Sequence, residues 1–350
     1  MDSAVFQRLV ERRVDQPVLV DEREPVETGV DDRHVEVIAA AGAVDDRHLV
    51  CLGKRLAQKL VEPAAHLPNI ASGTLPRMRR SAVGVAVSLA LFATAPAADP
   101  AVSGARAKRW TAKIAALGQR PAGRLHERQA GRIVKRRLER LGYSVAYQRF
   151  TLPDGRTSRN VVGRTAGPIR VIIVAHIDGV WGTDAANDNG SGVGLMLELA
   201  RQMSGRDGLL VAGLAAEERM VTGSSWHLGS RRLTRSLSSA QKERVRLALS
   251  IDMVGVGSTL HVRGLEASPN RSARILLAAA RRRGIRATYL RDTGQSDHDD
   301  LTRGGVPAAW VEWRWDPCWH QPCDQIERVR PWKLRRAGRM VASAARSVLP

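Results

Sequence analysis

The sequence predicts an α/β fold, a three-layer α/β/α sandwich around a mostly parallel mixed sheet, in a single domain spanning residues 98–350. Three observations point to it. Short, wholly apolar runs at residues 171–175, 209–215 and 247–251 have the character of strands buried on both faces of a parallel sheet. Segments with helical spacing alternate with them, as βα units require. Each apolar run ends in side chains that carry chemistry, and open α/β sheets gather their functional groups at the carboxyl ends of their strands.

The elements follow in chain order. Residues 124–141 place Ala130, Ile133, Val134, Leu138 and Leu141 on one helical stripe, and Gly142 ends that helix. The strands at 171–175, 209–215 and 247–251 come next, with a helix at 192–203 between the first two. A helix at 268–283 precedes a strand at 308–315, and a helix at 331–348 closes the pattern. On the strand at 308–315, Val311, Trp313 and Trp315 share one face and Trp310, Glu312 and Arg314 the other, so a Trp face could either pack the core or wall an apolar pocket.

Upstream, residues 78–97 combine a basic start (Arg79, Arg80), an apolar stretch and a small-residue end in which Ala95-Pro96-Ala97 fits the cleavage pattern of a secretory signal peptide. The apolar run is shorter than the roughly 20 residues a spanning helix needs. A leader works only at an N-terminus, so a start at Met78 makes residues 1–77 an upstream extension, expected to be disordered and absent from a secreted or periplasmic mature chain. That stretch repeats Val-Asp-Asp-Arg-His at 30–34 and 44–48 and shows no sustained period of its own.

The net charge of +20 at pH 7 could suit a polyanion. Only 7 of the 55 basic residues are Lys, though, an Arg bias of the kind that GC-rich coding gives, and no nucleic-acid-binding module is recognisable. Nucleic acid is therefore not an expected partner, and neither is a stable membrane anchor after leader cleavage. A monomer is expected.

Cys318 and Cys323 flank His320 as Cys-Trp-His-Gln-Pro-Cys, while Cys51 lies in the extension. The close pair could form a small-loop disulfide in an oxidising compartment or provide thiolates for zinc, although a second Cys pair is lacking for the latter.

The strand ends carry the functional signal. The first reads Val-Ala-His-Ile-Asp: the imidazole of His176 suits zinc, and Asp178 could fix its tautomer from behind. Twelve residues on, Asp188 precedes a helix, where Gly190 and Gly192 permit a tight turn; a carboxylate there could bridge two cations or simply cap the helix. The third end is Ala-Ala-Glu-Glu, whose adjacent like charges resist joint ionisation unless a cation shares them. Glu218 is read as a ligand and Glu217 as a general base. Asp252 closes the apolar run 247–251, where a carboxylate needs a partner or a metal. His320 adds a second imidazole.

This order resembles the secreted bacterial zinc aminopeptidases of metallopeptidase family 28. The matching motifs are Ala175-His176-Ile177-Asp178, Asn187-Asp188-Asn189-Gly190-Ser191-Gly192, Glu217-Glu218, Asp252-Met253 and His320-Gln321-Pro322-Cys323-Asp324, with Gly223-Ser224, Ser296-Asp297-His298 and Gly305-Val306-Pro307-Ala308 beside them. The resemblance covers about residues 110–345. It implies two Zn2+ per chain, with His176 and Asp252 on one, Glu218 and His320 on the other and Asp188 between them. Glu217 would be the base in the hydrolysis of N-terminal residues from peptide or protein substrates, and Cys318 would pair with Cys323. Where the family commonly has Tyr before the last ligand, this chain has Trp319, and Leu301 stands where an aromatic is usual after Ser296-Asp297-His298. Trp319, Trp313 and Trp315 are the candidate pocket residues. A glutaminyl-peptide cyclase, which uses one zinc and does not need His176 as a ligand, is the nearest alternative activity, and a catalytically silent peptide-binding relative is another.

Overall fold

The apolar runs do form the centre of a sheet. In the computed structural model, which describes residues 101–218 and 226–350, strands β3 (Val171–His176), β4 (Leu209–Leu214) and β5 (Leu247–Ile251) are buried at every residue. With β8 (Ala308–Arg314) they make a parallel core in the order β4-β3-β5-β8. Antiparallel additions extend it at both ends. The hairpin β1 (Ser144–Thr151) and β2 (Thr157–Arg164) joins through β2 against β4, and β6 (Thr259–Gly264) pairs with β8 and carries the short β7 (Thr288–Arg291) at the far edge. Among the described residues the sheet has eight strands, in the order β1-β2-β4-β3-β5-β8-β6-β7.

Strand alternation separates two helical layers. Val171, Ile173 and Ala175 of β3 face a core shared with α1 (Gly104–Ala115), α2 (Leu125–Arg140), α3 (Gly192–Gln202), α6 (Arg271–Arg282) and α8 (Pro331–Arg346). Ile172 and Val174 face a smaller core that includes Leu233 of α4 (Leu228–Arg235) and Leu301 of α7 (His298–Arg303). The short helix α5 (Ser239–Arg244) precedes β5. Side chains fully removed from water, such as Leu195, Met196, Leu197 and Leu199 on α3, contribute about 1.5–3 kcal/mol each. This is the three-layer mixed-sheet sandwich expected from the sequence.

Local details differ. The helix expected from residue 268 starts at Arg271, because Asn270 stands outside the helix and caps it by accepting the Ala273 N–H at 3.0 Å. Gly192 was expected to serve a turn, yet it is helical (φ −64°). Glycine is required there by close approach: a Cβ would lie 2.1 Å from the Ile251 carbonyl oxygen, where α3 starts against the end of β5. Gly194 works likewise, since its Cβ would fall 2.3 Å from Thr111 Oγ1 and 2.5 Å from the Ala107 carbonyl, so α1 and α3 touch backbone to backbone. Trp313 is 3% exposed and belongs to the larger core, edge-on to Trp332.

The leader at 78–97, the extension at 1–77, Cys51 and the Gly223-Ser224 match lie outside the described residues. Among the described residues no helix is long and apolar enough to cross a membrane.

Candidate metal centre

The parallel core delivers its side chains to one place. His176 is the last residue of β3, Glu217 and Glu218 lie just beyond β4, Asp252 follows β5, and the chain leaving β8 leads to His320. Asp188 enters from the irregular turn at Ala186–Ser191 that runs into α3. The structure thus brings together the base candidate and all five ligand candidates, although they are spread over 145 positions of sequence from 176 to 320.

Asp188 is the junction. Its Oδ1 lies 3.1 Å from His176 Nε2, and its Oδ2 lies 3.2 Å from His320 Nε2. On the first side, Asp252 Oδ1 is 3.5 Å from His176 Nε2; on the second, Glu218 Oε2 is 3.1 Å from His320 Nε2. Asp188 is not a helix cap. Asn189 takes that task, its Oδ1 accepting the Gly192 N–H at 2.8 Å while its Nδ2 donates to the Ile251 carbonyl at 2.9 Å.

These carboxylates are held from behind. Asp178 accepts the backbone N–H of Glu217 at 3.2 Å and of Glu218 at 3.1 Å, and its Oδ1 stands 3.6 Å from His176 Nδ1, which is longer than a hydrogen bond. Asp324 accepts the Asn187 N–H at 2.7 Å and the Asp188 N–H at 3.0 Å. Ser296 Oγ donates to Asp252 Oδ2 at 2.7 Å. Arg120, fully buried, donates to the carbonyls of Ile177, Asp184 and Ala185 at 3.1, 2.7 and 2.9 Å, and so ties the segment between His176 and Asp188. Burial lowers its guanidinium to about 10.

The backbone concentrates strain here. Among the described residues, the non-glycine positions with positive φ are Ala185, Ala216, His227, Met253 and His320. Two of these directly adjoin Glu217 and Asp252, one is a ligand candidate, and His227 meets Glu217. Such conformations cost of order 1–3 kcal/mol each and cluster where geometry serves function. The cross-link Cys318–Cys323 closes the loop around His320, with Cα atoms 5.4 Å apart, which resolves the cysteine pair as a disulfide. Trp319 is 44% exposed and its ring lies over the His320 imidazole, centroids 4.3 Å apart. Trp315 is 60% exposed beneath the Arg314 guanidinium. Trp313 does not join them: its indole N–H donates to the Lys333 carbonyl at 3.3 Å, within the core, so it is withdrawn from the pocket candidates.

The electrostatics describe a site that demands positive charge. Burial pushes Glu217 well above the usual carboxylate range, and burial with the charge of Asp188 pushes Glu218 up to about 7. Burial would lower both histidines, but the carboxylates around them reverse it. His176 is held well above its ordinary value by Glu217 and Asp252, and His320 is raised to about 11 by Asp188 and Glu218. Carboxylates crowded in this way favour nearby positive charge, which divalent cations could supply. His176 with Asp188 and Glu218, and His176 with Glu217 and Asp252, offer ligand atoms within 4.8 Å of one another. Asp252 Oδ1 is buried with no hydrogen-bond partner among the described residues. Imidazole and carboxylate donors in such groups suit zinc.

Comparison with known proteins bears on the same segment. The model of Peptidase family M28 matches residues 160–345, more than half of the chain and every residue of the cluster. The chain belongs to peptidase family M28. It is 31% identical over 208 residues to aminopeptidase YwaD of Bacillus subtilis, across 54% of this chain and 44% of that protein; the chain spans about half the length of the curated relatives it matches. The fold of this M28 chain is shared with a zinc aminopeptidase from Bacillus subtilis (TM-score 0.67, 19% identity, 72% of this chain and 96% of that one). It is shared also with a glutaminyl cyclase from Bacteroides thetaiotaomicron (TM-score 0.63, 22% identity, 70% and 98%).

The motifs indicated the cluster, but not every group that supports it. Arg120 and His227 stand outside any motif read from the sequence, and Asp324 and Asp297 were motif letters without a role. Asp297 is fully buried with both carboxylate oxygens lacking a hydrogen-bond partner among the described residues, and burial raises it to about 8.

Proposed function

We propose that this chain is a secreted or periplasmic zinc aminopeptidase that uses two zinc ions to hydrolyse N-terminal residues from peptides, with Glu217 as general base. The observation that carries the reading is Asp188, whose two oxygens face two different histidines at 3.1 and 3.2 Å, each beside a further carboxylate. His176 and Asp252 would hold one ion, His320 and Glu218 the other, and Asp188 both. Zinc so held would polarise the scissile carbonyl and make a water nucleophilic at neutral pH.

The chain's own residues do the rest. Glu217 is buried beside this cluster without being needed as one of its five ligands, so its carboxylate is free to accept a proton from the attacking water and deliver it to the leaving amine. No covalent intermediate is required. Asp178 fixes the pair by gripping both amide groups, which sets the base and the neighbouring ligand relative to each other. Trp319, next to His320, offers an exposed aromatic face for a substrate side chain and only an indole N–H toward an oxyanion. The leader at 78–97 would carry the chain out of the cytoplasm, where the Cys318–Cys323 disulfide persists.

The cyclase reading is weaker on one specific point. Burial of His176 among Asp188, Asp252 and Glu217 favours a second cation that a one-zinc cyclase would not employ. The test is a panel of aminoacyl anilides and N-terminal glutaminyl peptides, with and without chelator. Anilide release abolished by chelator and restored by zinc supports the proposal; cyclisation without anilide release would replace it.

A further inference from the structure

The sequence following the paired glutamates returns to them at His227. The His227 N–H donates to the Glu217 carbonyl at 3.0 Å, and the Leu228 N–H donates to the Ala216 carbonyl at 3.0 Å, so the start of α4 is stitched to the end of the β4 segment. Asn160 reinforces the seam from β2, accepting the Ala215 N–H at 3.0 Å and donating to the Gly229 carbonyl at 2.8 Å. His227 adopts φ 52°, a left-handed conformation costly for its side chain.

That conformation turns the imidazole onto the base. His227 is 2% exposed, and its Nε2 lies 3.2 Å from Glu217 Oε1, without the alignment of a finished hydrogen bond. On the other side, Nδ1 faces Asp300 Oδ2 at 3.9 Å, and Asp300 is paired with Arg231 Nε at 3.2 Å. Trp226 meets the ring edge-on at 5.4 Å. The imidazole thus stands between Glu217 and Asp300, which is itself paired with Arg231, and among the described residues no hydrogen bond or ion pair joins it to any of the five ligand candidates. A helix start does not require this arrangement, because a histidine at such a position could point to solvent.

We propose that His227 is a positioning residue for Glu217: its buried Nε2, 3.2 Å from Oε1, restricts the Glu217 carboxylate to the rotamer that faces the reacting water, with the Asp300 charge 3.9 Å behind the ring favouring a proton on Nδ1. The inference rests on Glu217 being the base. Carboxylates rotate readily about their last torsion, and a base turned aside by a fraction of a bond length loses much of its effect. His227 would supply that restraint without binding metal or substrate.

The test compares wild type, His227→Leu, His227→Gln and Asp300→Asn as full-length proteins. Each is assayed for kcat and KM on an aminoacyl anilide and for zinc content, and the first two are crystallised with zinc. Expected results are a kcat for His227→Leu lower by roughly 10- to 100-fold with KM within about 2-fold and zinc content unchanged. The Glu217 carboxylate should be rotated or spread over rotamers in the His227→Leu crystal. Glutamine, whose amide N–H can reach where Nε2 does, should recover most of the loss; Asp300→Asn should show a smaller kcat defect even if His227→Leu fails to fold. An unchanged kcat in His227→Leu, or a Glu217 carboxylate in its wild-type position, would overturn the proposal. Should wild type release no anilide at all, the aminopeptidase reading fails on its own, and the Glu217 rotamer still decides the role of His227.

Discussion

Asp324 Oδ2 accepts the backbone N–H of Asp188 at 3.0 Å, joining the turn before α3 to the loop that carries His320. Its other oxygen holds the Asn187 N–H at 2.7 Å, and burial raises the carboxyl to about 7. One residue four positions after a ligand candidate therefore sets the backbone of another. Asp324→Ala should weaken zinc binding by about 10- to 100-fold, the range for groups that orient ligands, as read by competition with a chromogenic chelator. An affinity equal to wild type would show that the turn holds its shape without the clamp.

Glu217→Gln should keep full zinc content and lower kcat by at least about 100-fold, because an amide cannot take the water's proton. Metal analysis and turnover on one anilide, from the same preparation, separate the base from the ligands. Loss of zinc in this variant would make Glu217 a ligand instead.

How much of this was legible follows from what each segment must bury. The β3, β4 and β5 runs are buried on both faces and contain nothing but apolar and small residues, apart from Ser250 and His176, so their pattern was plain. The β1–β2 hairpin reads Ser-Val-Ala-Tyr-Gln-Arg-Phe-Thr and Thr-Ser-Arg-Asn-Val-Val-Gly-Arg, with polar residues at its exposed edge, and four-residue β7 is too short to show a period. The site was legible because each ligand candidate is a strand-end or motif residue. Arg120 and His227 were not, since their roles depend on packing between distant segments. Trp313 shows the converse limit: alternation assigns a face to a strand residue, but only the helix α8 behind it decides whether that face is core.

Glu127 gives a pH test away from the ligands. Its Oε2 accepts the Gly123 N–H at 2.8 Å, and Ser158 Oγ donates to it at 2.8 Å. Burial, with the charge of Asp178, raises the carboxyl from 4.5 to about 8. Between these values the unfolded chain releases a proton that the folded chain keeps, so the stability present below pH 4.5 is lost as pH rises to about 8. Glu127→Gln has no such proton. Its Tm relative to wild type should climb across that interval, by the equivalent of about 1.4 kcal/mol for each pH unit; parallel Tm profiles from pH 5 to 9 would contradict the buried neutral carboxyl.

Metal removal should destabilise the fold, because cations binding only the native state add RT ln(1 + [L]/Kd) of stability. Dialysis against chelator should lower the Tm by several degrees, and zinc should restore it, while Asp188→Ala, lacking the shared carboxylate, should respond far less. Equal responses from both proteins would remove Asp188 from the centre.

Whether Asp188 would divide this cluster into two zinc sites is read out by zinc stoichiometry, from calorimetric titration of the metal-free protein. Two equivalents per chain are expected; saturation at one equivalent, or no binding at all, would rule out a carboxylate shared between two ions.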